Sequence, residues 1–133
     1  MADMSSEPGG TQARTARILV IEDDSMIRML LADMLESLGH TVAGEAARID
    51  EALAAAQNAT CDVAILDVDL GGKSCEPVAQ ALAGRKIPFI FATGYGAQAL
   101  PESFRDRPTL KKPFHLDGLG QTIETALRAG GVR

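Results

Sequence analysis

Short, unbroken apolar runs alternate along the chain with stretches of helical periodicity, and each of the clearest runs stops at a polar or charged residue. Ile18-Leu19-Val20-Ile21 ends at Glu22-Asp23-Asp24, and Val63-Ala64-Ile65-Leu66 ends at Asp67. Ile87-Pro88-Phe89-Ile90-Phe91-Ala92 ends at Thr93, with Pro88 confined to the start because it cannot donate a ladder bond. A run with no polar alternation is a strand covered on both faces, as in a parallel sheet. Thr41 to Gly44 and Thr109 to Lys111 are weaker strand candidates.

The intervening segments read as helices. Ile27, Leu30, Leu31, Met34, Leu35 and Leu38 recur on one helical face between a Ser25 N-cap and Gly39. Ile49, Ala52, Leu53 and Ala56 mark a second helix closed near Asn58, and Pro77 to Leu82 a short third. Thr93 to Pro108 carries only a weak pattern through Ala97, Leu100 and Phe104, which predicts a short or irregular fourth helix. Asp117 is placed as the cap of a last helix with Leu119, Ile123, Ala126 and Leu127 on its apolar face, ended by Gly130-Gly131. Strand-helix alternation implies right-handed crossovers, and hence an α/β doubly wound five-stranded parallel sheet.

The chain has 133 residues, enough for one domain. Residues 1–15 are expected to be a flexible tail and 16–131 the folded domain. Apolar residues make up 46% and aromatics only 4%, so the core is aliphatic. A formal charge of −5 argues against nonspecific nucleic-acid binding. Two cysteines make no disulfide framework, no signal peptide is visible, and no apolar run approaches the roughly 20 residues that cross a bilayer. A cytoplasmic location without membrane contact is expected. Cys75 reads as a loop thiol and Cys61 as a buried one.

A parallel sheet brings the ends of its strands to one edge, where open α/β sheets bind ligands. That edge should collect Glu22, Asp23, Asp67, Thr93 and Lys112. Packed carboxylates repel and call for a cation, and oxygen-only ligands suit Mg²⁺. Asp23 and Asp67 are the best direct ligands, Glu22 ligates or holds a metal water, and a backbone carbonyl near Asp69 completes the set. An Asp facing Mg²⁺ can attack phosphorus and form an acyl phosphate, with Lys112 and the Thr93 hydroxyl on other phosphoryl oxygens. Asp67 lies between these groups and is the natural acceptor. Asp24 faces solvent or helps cap the first helix.

Ile18 to Asp24, Asp67, Thr93 and Lys112-Pro113-Phe114 together resemble the receiver domain of two-component response regulators. The resemblance covers residues 16–129. It implies a flavodoxin-like sheet in the order 2-1-3-4-5, a phosphoacceptor at Asp67, an acidic pair at Glu22 and Asp23, a switch hydroxyl at Thr93, and a phosphate-contacting Lys112. It also implies a usually cis bond before Pro113, and places Asp69 beside the phosphoryl group. Pro88 to Gly96, Leu70-Gly71-Gly72 and Arg105-Asp106-Arg107-Pro108 are similar to the "FAT GUY" receivers of alphaproteobacteria. Partners implied by that likeness are a histidine kinase or histidine phosphotransfer protein, often of the HWE type, and a downstream protein; some members act in general stress signalling. Two positions depart from the common pattern. Gly71 stands where a Pro is usual, which reads as a loosened loop, and Thr109 stands at the usual aromatic switch position, which leaves Tyr95 as a buried packing residue or a substitute switch.

The expected function is that of a single-domain response regulator that promotes its own phosphorylation and dephosphorylation without turning over an external substrate. No DNA-binding module follows, so transcription control is expected to run through a partner. The alternatives are a phosphate sink or relay intermediate without its own output, and a non-phosphorylated binding scaffold. A haloacid-dehalogenase-like phosphatase would want its D-x-D nucleophile motif at the first strand, whereas the candidate nucleophile is on the third.

Overall fold

A computed structural model describes residues 15–95 and 99–129. Most of the expected tail, Gly96 and Ala97 of the expected fourth helix, and Gly130-Gly131 lie outside the described residues. Five strands form the main sheet: β1 (Arg17–Ile21), β2 (Thr41–Ala46), β3 (Val63–Asp67), β6 (Phe89–Thr93) and β7 (Thr109–Lys111). Their order is β2-β1-β3-β6-β7, all neighbours are parallel, and counted within this sheet alone it is the expected 2-1-3-4-5. A second, two-stranded antiparallel sheet joins β4 (Asp69–Leu70) to β5 (Lys73–Ser74). The helices are α1 (Ser25–Ser37), α2 (Ile49–Asn58), α3 (Glu76–Gly84) and α4 (Leu116–Ala129).

The period of two along each strand divides the core. Leu19, Ile21, Ala64, Leu66, Phe89 and Phe91 face α2 and α3, where Ala52, Ala56, Val78 and Leu82 meet them. Ile18, Val20, Val63, Ile65 and Ile90 face α1 and α4, against Leu31, Leu35, Leu119 and Ile123. Burying each large aliphatic side chain contributes about 1.5–3 kcal/mol. This explains why the buried positions of the central strands are apolar up to Asp67 and Thr93, which end β3 and β6.

Several local expectations are corrected. Asp24, not Ser25, caps α1: its Oδ1 accepts the N–H groups of Met26 (2.9 Å) and Ile27 (3.2 Å), and Ser25 is already helical. Asp117 does not cap α4 but lies in its first turn, and the His115 carbonyl accepts the first bond, from Leu119 N–H at 2.9 Å. The expected short or irregular fourth helix is, among the described residues, a 3₁₀ turn at Glu102–Phe104. Leu100 and Phe104 still reach the core, where the Phe104 ring packs edge-on to Phe89 at 5.6 Å, and the Arg107 guanidinium lies 4.5 Å from the Phe89 centroid. Gly71 does not loosen its loop. Gly71 (φ +62°) and Gly72 (φ +84°) form the tight turn of the β4–β5 hairpin, whose left-handed backbone suits glycine. Cys75 is not a loop thiol: it is fully buried at the start of α3, and burial pushes its thiol up to about 12.

The chain just before β1 belongs to the core. Ala16 is buried, and its N–H donates to Nδ1 of buried His40 at 3.0 Å. Burial holds the His40 pKa below its ordinary value. Among the described residues, no helix is long and apolar enough to cross a membrane.

Candidate functional site

The sheet reverses its winding direction between β1 and β3, since β2 lies outside β1 while β6 and β7 lie beyond β3. The crevice at their carboxyl ends is where such a sheet takes a ligand. Glu22 follows β1 directly, and Asp67 is the last residue of β3. Thr93 ends β6. Its carbonyl accepts the Lys112 N–H at 2.9 Å, which sets the point from which the lysine side chain crosses the edge of the sheet.

The five residues expected at this edge do meet. Together with Asp24, Asp69 and Tyr95 they line an open hollow of about 520 Å³. One carboxylate oxygen from each of Glu22, Asp23 and Asp67 lies within 4.8 Å of the other two. Glu22 and Asp67 are buried, and Asp23 is exposed. Lys112 Nζ stands 3.0 Å from Glu22 Oε1 and 3.5 Å from Asp67 Oδ1. The pair bonds the lysine into the site, but one ammonium does not neutralise three carboxylates.

The titration behaviour follows from burial first and from that imbalance second. Burial, and next the Glu22 charge, push the Asp67 carboxyl up to about 7, against the pull of the Asp69 N–H and Lys112. Burial disfavours the charged Lys112, yet its bond to Glu22 and the charge of Asp67 outweigh this and raise its pKa. Three clustered oxygens, two of them on buried groups, with no His or Cys in the cluster among the described residues, are a donor set for a hard divalent cation. They fit that ion and not structural zinc.

Backbone groups orient the carboxylates. Asp67 Oδ1 accepts the Asp69 N–H at 3.2 Å, and Glu22 Oε2 accepts the Asp24 N–H at 3.1 Å. Thr93 Oγ1 accepts the Tyr95 N–H at 3.0 Å and keeps its own proton as a donor. The Asp69 side chain turns away to accept the Gly72 N–H at 2.8 Å. Tyr95 is 80% exposed at the mouth of the hollow, which removes the expectation of a buried packing role. The Lys112–Pro113 bond is cis.

Two contributors escaped the sequence reading. Arg28 Nη1 donates to the Glu22 carbonyl at 2.8 Å while its Nε pairs with Glu45 at 3.2 Å, and no motif marks it. The Gly71 N–H donates to Asp23 Oδ2 at 3.1 Å. A Gly-Gly pair flanked by two short extended segments is the hairpin signal that could have found it.

Comparison with known proteins agrees with this geometry. The family model described as the response regulator receiver domain matches residues 18–124. SdrG from Sphingomonas melonis Fr1 superposes with a TM-score of 0.72 at 45% identity, over 89% of this chain and 98% of that one. The BeF₃-activated conformation of SdrG from Pseudomonas melonis Fr1 matches with a TM-score of 0.71 at 44% identity, over 84% of this chain and 95% of that one. The transcriptional regulatory protein PdtaR of Mycobacterium tuberculosis is 34% identical over 115 residues, 84% of this chain and 56% of PdtaR. The phyllosphere-induced regulator PhyR of Methylorubrum extorquens is 33% identical over 135 residues, 95% of this chain and 45% of PhyR. The chain thus spans about half the length of these curated relatives and nearly all of SdrG. With its sheet order, its strand-end acidic pocket and a family match across most of its length, the chain belongs to the response regulator receiver domain family.

Proposed function

We propose that the chain accepts a phosphoryl group on Asp67 from a phosphohistidine of a histidine kinase or phosphotransfer protein, in a Mg²⁺-dependent reaction, and signals through contacts with a downstream protein. The observation that carries this reading is the placement of the Asp67 carboxylate, buried, 3.5 Å from Lys112 Nζ, and within one cluster with Glu22 and Asp23. Glu22, Asp23, Asp67 and the Asp69 carbonyl would hold Mg²⁺. When bound, the ion supplies charge neutralisation at a phosphoryl oxygen.

The other contributions come from the chain itself. Asp67 uses a carboxylate oxygen to attack phosphorus. The P–N bond of the donor breaks as the P–O bond forms, and the imidazole nitrogen keeps the electron pair. Such a transfer depends on position and charge more than on a base. Lys112 contacts a second phosphoryl oxygen as a point charge, and the Thr93 hydroxyl donates to a third. The fixed Asp69 N–H holds Oδ1 of Asp67 in one orientation. Asp69, exposed beside the acceptor, tunes water access to the acyl phosphate and hence its lifetime. Phosphate adds about −1.5 to −2 charge at a site already short of cations, which pulls on Thr93 and Lys112. Tyr95, two residues beyond Thr93, is the switch residue in this reading.

The receiver unit is taken to span residues 16–131, to work in the cytoplasm, and to act on a protein partner, with nucleic acid and membrane outside its direct contacts. The kinase in this reading is of the HWE type, as the "FAT GUY" likeness implies, and the 29% identity to the PhyR stress response regulator supports a place in stress signalling. The test is intact mass after incubation with a purified histidine kinase of that type, ATP and Mg²⁺. Wild type gains one phosphoryl group only when Mg²⁺ is present, and Asp67→Ala gains none. A wild type that gains no mass and also fails to bind beryllofluoride with Mg²⁺ would overturn the proposal.

A further inference from the structure

The β4–β5 hairpin lies against the acidic pocket and is fastened to it at both ends. At one end the Asp69 N–H donates to Asp67 Oδ1 at 3.2 Å. At its tip the Gly71 N–H donates to Asp23 Oδ2 at 3.1 Å, across 48 positions of sequence. Between them, the Gly72 N–H donates to Asp69 Oδ1 at 2.8 Å and locks the turn. One hydrogen-bonded path of backbone therefore joins the acceptor to the most exposed of the three clustered carboxylates.

Asp23 is otherwise poorly held. It is exposed, whereas Glu22 and Asp67 are buried, and the Gly71 amide comes from outside its own loop. A carboxylate that accepts a hydrogen bond on one oxygen presents the other to a cation in a fixed direction, and such outer partners change metal affinity by 10–100-fold. A proline at position 71 would have no N–H to give.

We infer that the Gly71 amide is a positioning donor for Asp23, and that the hairpin thereby sets the cation affinity of the pocket. The inference rests on the Mg²⁺ reading above. Glycine is favoured at 71 by backbone conformation and not by space: a Cβ there would stand 4.0 Å from Asp23 Oδ2, an ordinary contact, but φ is +62°. Asparagine tolerates that conformation and keeps the N–H, while a β-branched residue is strongly disfavoured in it.

The test compares the Mg²⁺ dissociation constants of wild type, Gly71→Asn and Gly71→Val by calorimetry, with thermal unfolding of each in the absence of Mg²⁺. Gly71→Val should bind Mg²⁺ at least fivefold more weakly, and Gly71→Asn within twofold of wild type. Equal Mg²⁺ affinity in all three, with only the unfolding temperature of Gly71→Val lowered, would mean that Gly71 shapes a turn and does not position a ligand. Should Gly71→Val fail to fold, the ¹⁵N spectrum of wild type decides. The Gly71 amide should move through a Mg²⁺ titration with the same midpoint as Glu22 and Asp67. An unmoved Gly71 while those signals shift overturns this inference alone, and a spectrum in which none of the three moves overturns the Mg²⁺ reading with it.

Discussion

At the scale of single residues, the pocket is governed by an excess of negative charge that one lysine only partly answers. Lys112 reaches Glu22 and Asp67 together, so its removal leaves two buried carboxylates facing each other. Lys112→Ala should therefore slow Asp67 phosphorylation by about 10²-fold, the loss typical of a deleted charge-stabilising donor, as measured by the rate of mass gain from a small phosphodonor with Mg²⁺. A rate within a few-fold of wild type would show that the ammonium is not needed. The residues of this pocket were legible in the sequence because each stands where an apolar run breaks off. Glu22, Asp67 and Thr93 stop their strands, and a polar residue is admitted there because the strand end opens to the hollow. Arg28 was not legible, since its role depends on a backbone carbonyl brought to it by the turn out of β1. Cys75 was misread because its neighbours Ser74 and Glu76 are polar, while its own side chain points into the core under α3.

At the scale of elements, the described part of the segment after β6 holds a 3₁₀ turn that is anchored by aromatic packing. Three of the four phenylalanines, Phe89, Phe91 and Phe104, meet there with centroids 5.4–6.3 Å apart. Arg107 covers two of the rings. Edge-to-face pairs add about 0.5–1.5 kcal/mol beyond burial. Phe104→Ala should cost about 3 kcal/mol of unfolding free energy, near the lower end for a buried Phe because the site lies at the rim of the core, read from urea denaturation. A loss below about 1 kcal/mol would mean that the turn is held by its backbone alone. The weak periodicity of Thr93 to Pro108 foretold a short, irregular helix, but not what anchors it. The β4–β5 hairpin escaped notice for a different reason: two-residue strands are too short to display a period, and only their Gly-Gly turn carries a signal.

At the scale of the whole molecule, the alternation of elements dictates a parallel sheet but not the order of its strands. That order came from the motif resemblance, because where a crossover helix packs is decided by both faces of the sheet at once. The order matters, since it alone sets Asp67 beside Glu22 and brings Lys112 over from beyond β6. It also couples the pocket to global stability. Asp67 titrates at about 7 in the fold and at the ordinary carboxyl value when unfolded. The fold thus holds a proton that the unfolded chain releases, so this group lowers stability as pH rises from about 4 to about 7 and leaves the deficit in place above. Asp67→Asn should be more stable than wild type at pH 8 without Mg²⁺, and that advantage should shrink toward pH 5. Mg²⁺ at pH 8 should raise the Tm of wild type and leave that of the variant nearly unchanged. Parallel Tm curves for the two proteins across this range would exclude a strained Asp67.

Tyr95 gives the molecule an optical property of its own. It is the sole tyrosine, the chain has no tryptophan, and the residue is 80% exposed at the mouth of the hollow, with its backbone N–H donating to Thr93 Oγ1. Ultraviolet emission of the folded protein therefore comes from one ring at one place, two residues from the Thr93 hydroxyl. A change in its quantum yield or anisotropy reports on that spot alone, with no label attached and no background from the core.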